Sequence, residues 1–192
     1  MKESLWKKLL SDFEKAEAQR EKIVQISRET IQLSKRAIYA AHRLELKESR
    51  ECISKMKPLV KQMIFLLRTA SSDAKSSVKV ALQEYVEAVC LCSVLEGRDL
   101  PSHVSLGVDA ESYLLGLSDL VGELGRVGVH RIIKNDYKSA LKMQAIVHDL
   151  YGKFMHLNLR NTELRKKVDG VKWELKKMED VILQLKISGR IE

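Results

Sequence analysis

Glu163-Leu-Arg-Lys-Lys-Val-Asp-Gly-Val-Lys-Trp-Glu-Leu-Lys-Lys-Met-Glu-Asp-Val-Ile-Leu-Gln-Leu185 is the stretch whose period decides the fold class. One set of apolar residues in it is Leu164, Val168, Val171, Leu175, Met178, Ile182 and Leu185. They recur in alternating steps of four and three, the spacing of a coiled-coil seam along one helix. Lys166, Lys167, Lys172, Lys176 and Lys177 lie off the seam. A seam this regular fits either packing inside the same chain or a subunit interface, and the expectation taken from it is an interface.

The same helical period extends back to the N-terminus. Residues 3–46 read as one long amphipathic helix carrying Trp6, Leu9, Phe13, Ile23, Ile26, Ile31, Ile38, Ala41 and Leu44. A second helix covers about 48–69, with Pro58 a candidate kink. Ser71-Ser-Asp-Ala-Lys-Ser-Ser77 reads as a polar turn in which Ser72 or Asp73 caps a third helix running to Leu95. Residues 96–108 form the clearest loop. Asp109 is placed to cap the fourth helix, the fifth spans roughly 136–157, and Asn161 is placed to cap the sixth. Gly116, Gly122, Gly125 and Gly128 weaken the fourth helix, so close approach of a neighbouring backbone is expected there. The expectation is an all-α chain of about six to seven antiparallel helices in a single domain over 1–192.

Bulk properties narrow the function classes. The chain is rich in Leu, Lys, Glu and Ala and has only two prolines, which favours helix. No run approaches twenty uncharged apolar residues, so no membrane span is expected. The N-terminal residues lack a signal peptide's apolar core. Cys52, Cys90 and Cys92 are odd in number and lack a zinc-type pair, which reads as reduced packing residues of a cytoplasmic protein. The net charge of +8 is uneven. Residues 1–70 and 136–192 are basic, whereas residues 71–135 hold nine acidic side chains against six basic ones. An acidic middle between basic flanks suits a polyanion that meets metal ions; charge runs are equally compatible with solvated helix faces.

Four carboxylates stand out in that middle. Glu84 and Glu87 are spaced i,i+3, and Asp119 and Glu123 i,i+4, so each pair projects from adjacent helical turns. Val80, Glu84, Glu87 and Leu91 share one stripe, which sets acids where apolar residues are expected. Asp119 and Glu123 lie in a run from Tyr113 to Val129 that is otherwise apolar or glycine apart from Ser118 and Arg126. Buried carboxylates are costly unless paired, protonated or bound to a cation. Two readings follow: salt bridges to Lys or Arg, or a hard divalent metal that takes oxygen ligands. A ferritin-like di-iron site needs Glu-x-x-His pairs, and none of the five histidines has a Glu three residues before it. On the first helix Arg28, Lys35 and His42 recur every seven residues, flanked by Arg36 and Arg43. That stripe could track phosphates or simply face solvent.

Three blocks carry a family resemblance: Lys22 to Leu44, Leu82-Gln-Glu-Tyr-Val-Glu-Ala-Val89, and Tyr113-Leu-Leu-Gly-Leu-Ser-Asp-Leu-Val-Gly-Glu-Leu124. With them the chain resembles the translin family over nearly its whole length, and in these blocks the branch called translin-associated factor X. The tail, Asn158 to Trp173 and on through Arg190, looks more like translin itself. The resemblance implies a translin-like α-α superhelical bundle, hollow octamers, and binding of single-stranded RNA and single-stranded DNA. In the factor X branch it implies an endoribonuclease dependent on Mg²⁺, with Mn²⁺ a substitute, whose catalytic and metal-binding acids map onto Glu84, Glu87, Asp119 and Glu123. The blend of branches implies one subunit that assembles with itself rather than with a translin-like partner subunit. Arg28, Lys35, Arg36, His42 and Arg43 would hold the strand. The competing expectations are a non-catalytic single-stranded DNA/RNA-binding oligomer and a helical adaptor that binds no nucleic acid.

Overall fold

A computed structural model of the chain describes residues 3–67, 72–160 and 162–191. Among the described residues there are seven helices and no strand: α1 (Glu3–His42), α2 (Leu46–Leu67), α3 (Ser72–Leu95), α4 (His103–Leu106), α5 (Ala110–Ile133), α6 (Tyr137–Met155) and α7 (Glu163–Ile187). None is long and apolar enough to cross a membrane. The chain divides into two compact units, Met1–Tyr113 and Leu114–Glu192, with the boundary inside α5.

The first unit is built on α1, α2 and α3. Gln19 near the start of α1 donates to the carbonyl of Leu66 near the end of α2 at 3.0 Å, so these two helices run antiparallel. The face that α1 buries sets Ile23, Ile26 and Leu33 among small residues, including Ser27, Thr30, Ser34, Ala37 and Ala41. Their hydroxyls are satisfied at short range: Thr30 donates to the carbonyl of Ile26 at 2.9 Å and Ser34 to that of Ile31 at 3.1 Å. Ser27 donates across to Met63 Sδ of α2 at 3.3 Å, and short side chains satisfied in these ways let α2 and α3 approach closely. Met56, Met63, Val78 and Leu91 fill the remaining space. The three cysteines are free and buried, and burial pushes the Cys90 thiol up to about 12.

Several sequence expectations need correction. The first helix stops at His42, four residues early. Leu44 takes a left-handed φ of 64°, and Glu45 N–H bonds back to the carbonyl of Ala40 at 2.9 Å. That closure normally uses glycine, as at Gly97, Gly107 and Gly189, so Leu44 carries no turn signal in its residue type. Trp6, Leu9 and Phe13 face solvent, Phe13 at 64% exposure, and α1 buries nothing before Ile23. α2 is unbroken through Pro58. The 96–108 loop holds the single turn α4, capped by the Ser102 hydroxyl accepting from Ser105 N–H at 3.1 Å. Asp109 caps α5 as expected, accepting from Ser112 N–H at 2.9 Å. Burial opposes its charge, but the hydrogen bonds from Ser112 prevail and hold its carboxyl below the usual carboxylate range. Ser71 and the proposed cap Asn161 lie outside the described residues, as do the side chains of Ser72 and Asp73.

The second unit pairs α6 with α7. Arg190 past the end of α7 donates to the Tyr137 hydroxyl at the start of α6 at 3.2 Å, so they too run antiparallel. The heptad seam of α7 is used inside the chain. Leu164, Val168, Val171, Leu175 and Leu185 are buried, and Met178 and Ile182 are half-buried. Five of the seven are thus packed within the single chain, while Met178 and Ile182 stay partly accessible. The α5 glycines approach side chains rather than a backbone: Met178 Cε lies 3.3 Å from where a Cβ on Gly128 would stand, and Glu174 Oε2 3.8 Å from one on Gly125. At Gly122 a Cβ would meet nothing within 4 Å. A helical glycine in open space costs stability with no packing return, so Gly122→Ala should stabilise the protein by about 0.5–1 kcal/mol in urea denaturation. A loss of stability would show that the position needs glycine.

Candidate functional site

α3 sets the first pair of acids. From Ala81 to Val94 almost every residue of this helix is buried. The stripe that holds the acids deepens along the helix: Val80 is exposed, Glu84 half-buried, Glu87 8% exposed, and Leu91 fully buried. Glu84 and Glu87 thus bring two carboxylates from successive turns to the margin of an apolar face. Tyr85, between them in sequence, points elsewhere. It is 2% exposed, and burial holds its phenol above the usual range. It packs rather than offering a face for a base to stack on.

In the second unit α5 presents Asp119 and Glu123, both half-buried. Lys167 Nζ from α7 reaches both oxygens of Asp119, at 2.6 and 2.8 Å. Arg126, one turn along α5, reaches Glu123 at 3.3 Å. The salt-bridge reading of the sequence is therefore realised for this pair. Lys167 was legible in the sequence only as a residue off the seam, since its partner lies 48 positions away. Within neither unit do three or more His, Cys, Asp or Glu side chains gather as metal ligands among the described residues.

The basic stripe of α1 splits in character. Arg28 and Lys35 are exposed, as are Arg36 and Arg43, while His42 is half-buried. Arg36 approaches Glu48 at 3.9 Å. Arg43 bonds Glu45, approaches Glu48 at 3.4 Å, and lies 4.4 Å over the ring of Tyr39. The hydrogen bond from Arg43 holds the Glu45 carboxyl below its usual range. Arg36 and Arg43 therefore have acid neighbours that a phosphate would have to outcompete, and Arg28 and Lys35 are the more open cations of the stripe.

The Translin family model matches residues 18–189. Translin of Gallus gallus and that of Homo sapiens are each 39% identical over 82 residues, covering 43% of this chain and 36% of the relative. The match thus spans little more than a third of the length of those relatives. Translin-associated protein X of Rattus norvegicus is 26% identical over 211 residues, covering 88% of this chain and 73% of the relative. Among solved structures, apo-NeC3PO superposes with a TM-score of 0.89 at 30% identity, covering 96% of this chain and 98% of that one. An AfC3PO–duplex RNA complex superposes with a TM-score of 0.87 at 24% identity, covering 97% of this chain and 99% of that one.

The Lys167–Asp119 pair is partly solvated, with side-chain exposures of 28% and 26%. A double-mutant cycle with Lys167→Ala and Asp119→Ala should give a coupling of about 1 kcal/mol that shrinks as salt rises. Coupling that salt does not touch would mark a desolvated structural clamp instead.

Proposed function

The chain belongs to the Translin family, and on that footing we propose that it is the catalytic subunit of a metal-dependent endoribonuclease. It binds single-stranded RNA, and single-stranded DNA in the same way, within a cytoplasmic homo-octamer. The observation that carries this reading is Glu87, a carboxylate 8% exposed on an apolar helix face with Glu84 one turn away. A charged group in such a place demands a cation or strong hydrogen bonds to repay its lost hydration.

Carboxylate oxygens suit Mg²⁺. It takes oxygen ligands, keeps part of its water shell, and needs only one or two carboxylates beside the substrate phosphate. Glu84, Glu87, Asp119 and Glu123 are the residues proposed to hold it. When bound, Mg²⁺ would supply Lewis acidity at the phosphoryl oxygen and a lowered pKa for water. One of the four carboxylates accepts the proton of the attacking water. The phosphorus–oxygen bond to the leaving ribose oxygen breaks, and that oxygen leaves with a proton. Lys167, bonded to both oxygens of Asp119, holds that carboxylate in place and would have to withdraw for a metal to be held there. Arg28, Lys35, Arg36, His42 and Arg43 are proposed to hold the strand through its phosphates, which positions it without reading its sequence.

One observation favours the second reading, a binding oligomer without catalysis. Asp119 and Glu123 already have cationic partners, Lys167 and Arg126. Cleavage of a labelled single-stranded RNA separates the two. Wild type should cleave with Mg²⁺ and stop in EDTA. Glu87→Ala or Asp119→Ala should lose at least about a hundredfold in rate while keeping assembly and RNA affinity, the scale expected when a metal site is broken. Unchanged cleavage by both variants would remove the four acids from the mechanism. Binding without cleavage under any condition would establish the second reading.

Reversing charge at Lys35 and Arg36 tests the stripe. Two lost phosphate contacts on a single strand should flatten the slope of log K against log salt by about 1.4. An unaltered slope would assign strand binding to another surface.

A further inference from the structure

The first unit contains a basic cavity that the four acids do not account for. It has a volume of about 520 Å³, within the range of roughly 300–1,000 Å³ typical of small-ligand sites. Arg50, Lys57, Lys61 and Arg98 line it, and no Asp or Glu does among the described residues. Arg50, Ser54, Lys57 and Lys61 succeed one another on α2 in steps of four, three and four, so a single helix face delivers them. Lys57 and Lys61 have no carboxylate paired to them among the described residues, so their charge is uncompensated by the protein.

The two arginines are held in place. The Glu96 carboxylate, at the end of α3 with its side chain 10% exposed, bonds Arg50 through one oxygen and Arg98 through the other. Burial opposes the charge of Glu96, but these hydrogen bonds prevail and keep its carboxyl below the usual range. A charged Glu96 thus fixes two guanidiniums, each of which keeps further N–H donors. The same lining includes the apolar side chains of Ile53, Val89 and Leu106 and the buried Tyr85. The loop that closes the cavity is anchored where the Tyr113 hydroxyl donates to the carbonyl of Pro101 at 2.6 Å.

Cations and apolar side chains in one lining make a site for a ligand with a multiply charged head and a flat, apolar body that forms its wall contacts. We propose that this cavity binds a nucleotide through a terminal phosphate monoester, with the base against the apolar side chains. A monoester carries about −1.5 to −2 charge near neutral pH, whereas an internal phosphodiester carries one. Four cations, two of which share the single carboxylate of Glu96, leave a net positive charge of three that prefers a strand end or a free nucleotide to the interior of a strand. The proposal stands apart from the cleavage reading, because a chain that never cleaves RNA would still bind such a ligand here.

The test is calorimetric titration of the purified protein with uridine 5′-monophosphate, uridine and inorganic phosphate. The nucleotide should bind at least tenfold more tightly than the nucleoside. Lys57→Ala/Lys61→Ala, which changes two exposed side chains, should weaken the nucleotide tenfold or more and leave uridine unaffected. Ser54→Trp, which fills the cavity from an exposed helical position, should weaken both. Displacement by the nucleotide of a short RNA with a 5′-phosphate, but not of the same RNA with a 5′-hydroxyl, would identify a strand end as the ligand. No displacement of either RNA would identify the free nucleotide. Equal affinity of uridine and its monophosphate would overturn the proposal, as would nucleotide binding that the double lysine variant leaves unchanged, or no nucleotide binding at millimolar concentration.

Discussion

The near-complete burial of α3 between Ala81 and Val94 is the constraint on which the first unit depends. A helix covered on almost every side can carry a polar group only where that group is satisfied, because each unmet donor or acceptor costs about 1–3 kcal/mol. The small residues on the buried face of α1 make this burial achievable, since alanine, serine and threonine let α1 lie close to α3. The polar residues that α3 retains are thereby singled out. Glu84 and Glu87 fall on one margin of the helix, while Tyr85, Val89, Cys92 and Ser93 line the cavity on another. The two proposed sites thus draw on one helix, whose packing positions the side chains of both.

The second unit meets a different constraint. Its carboxylates are answered within the chain by Lys167 and Arg126. Lys167 satisfies both oxygens of Asp119 on a flexible stem, so this carboxylate is compensated without any metal. The arginine pair is costlier to displace in kind but more exposed, with Arg126 at 60%. Along α5 the glycines admit Met178 and Glu174 against the helix, so packing of α7 side chains rather than backbone contact compensates the weak helix formers.

Charge follows the same logic at the surface. On α1 the basic stripe is partly tied by Glu45 and Glu48, which limits the cations free to meet a strand. On α2 Lys57 and Lys61 are not tied. A stripe of Arg50, Ser54, Lys57 and Lys61 was readable by the same heptad arithmetic that picked out Arg28, Lys35 and His42, but a charge stripe alone does not say whether a cavity lies beneath it.

By itself the sequence determined the helical class, most helix limits, the Asp109 cap and the unusual setting of the four acids. Those features are local: the 3.6-residue period, a capping side chain three residues from its N–H, and acids in apolar runs are all written within a few turns. Tertiary structure alone decided the rest. The end of α1 at Leu44 depends on a left-handed residue of a type that rarely takes that conformation. The seam of α7 pointed outward by its regularity, yet burial is a property of the surrounding chain, and the chain covers five of its seven residues. The pairing of Lys167 with Asp119, and of Arg50 and Arg98 through Glu96, joins residues as many as 48 positions apart, a distance over which helical period carries no information.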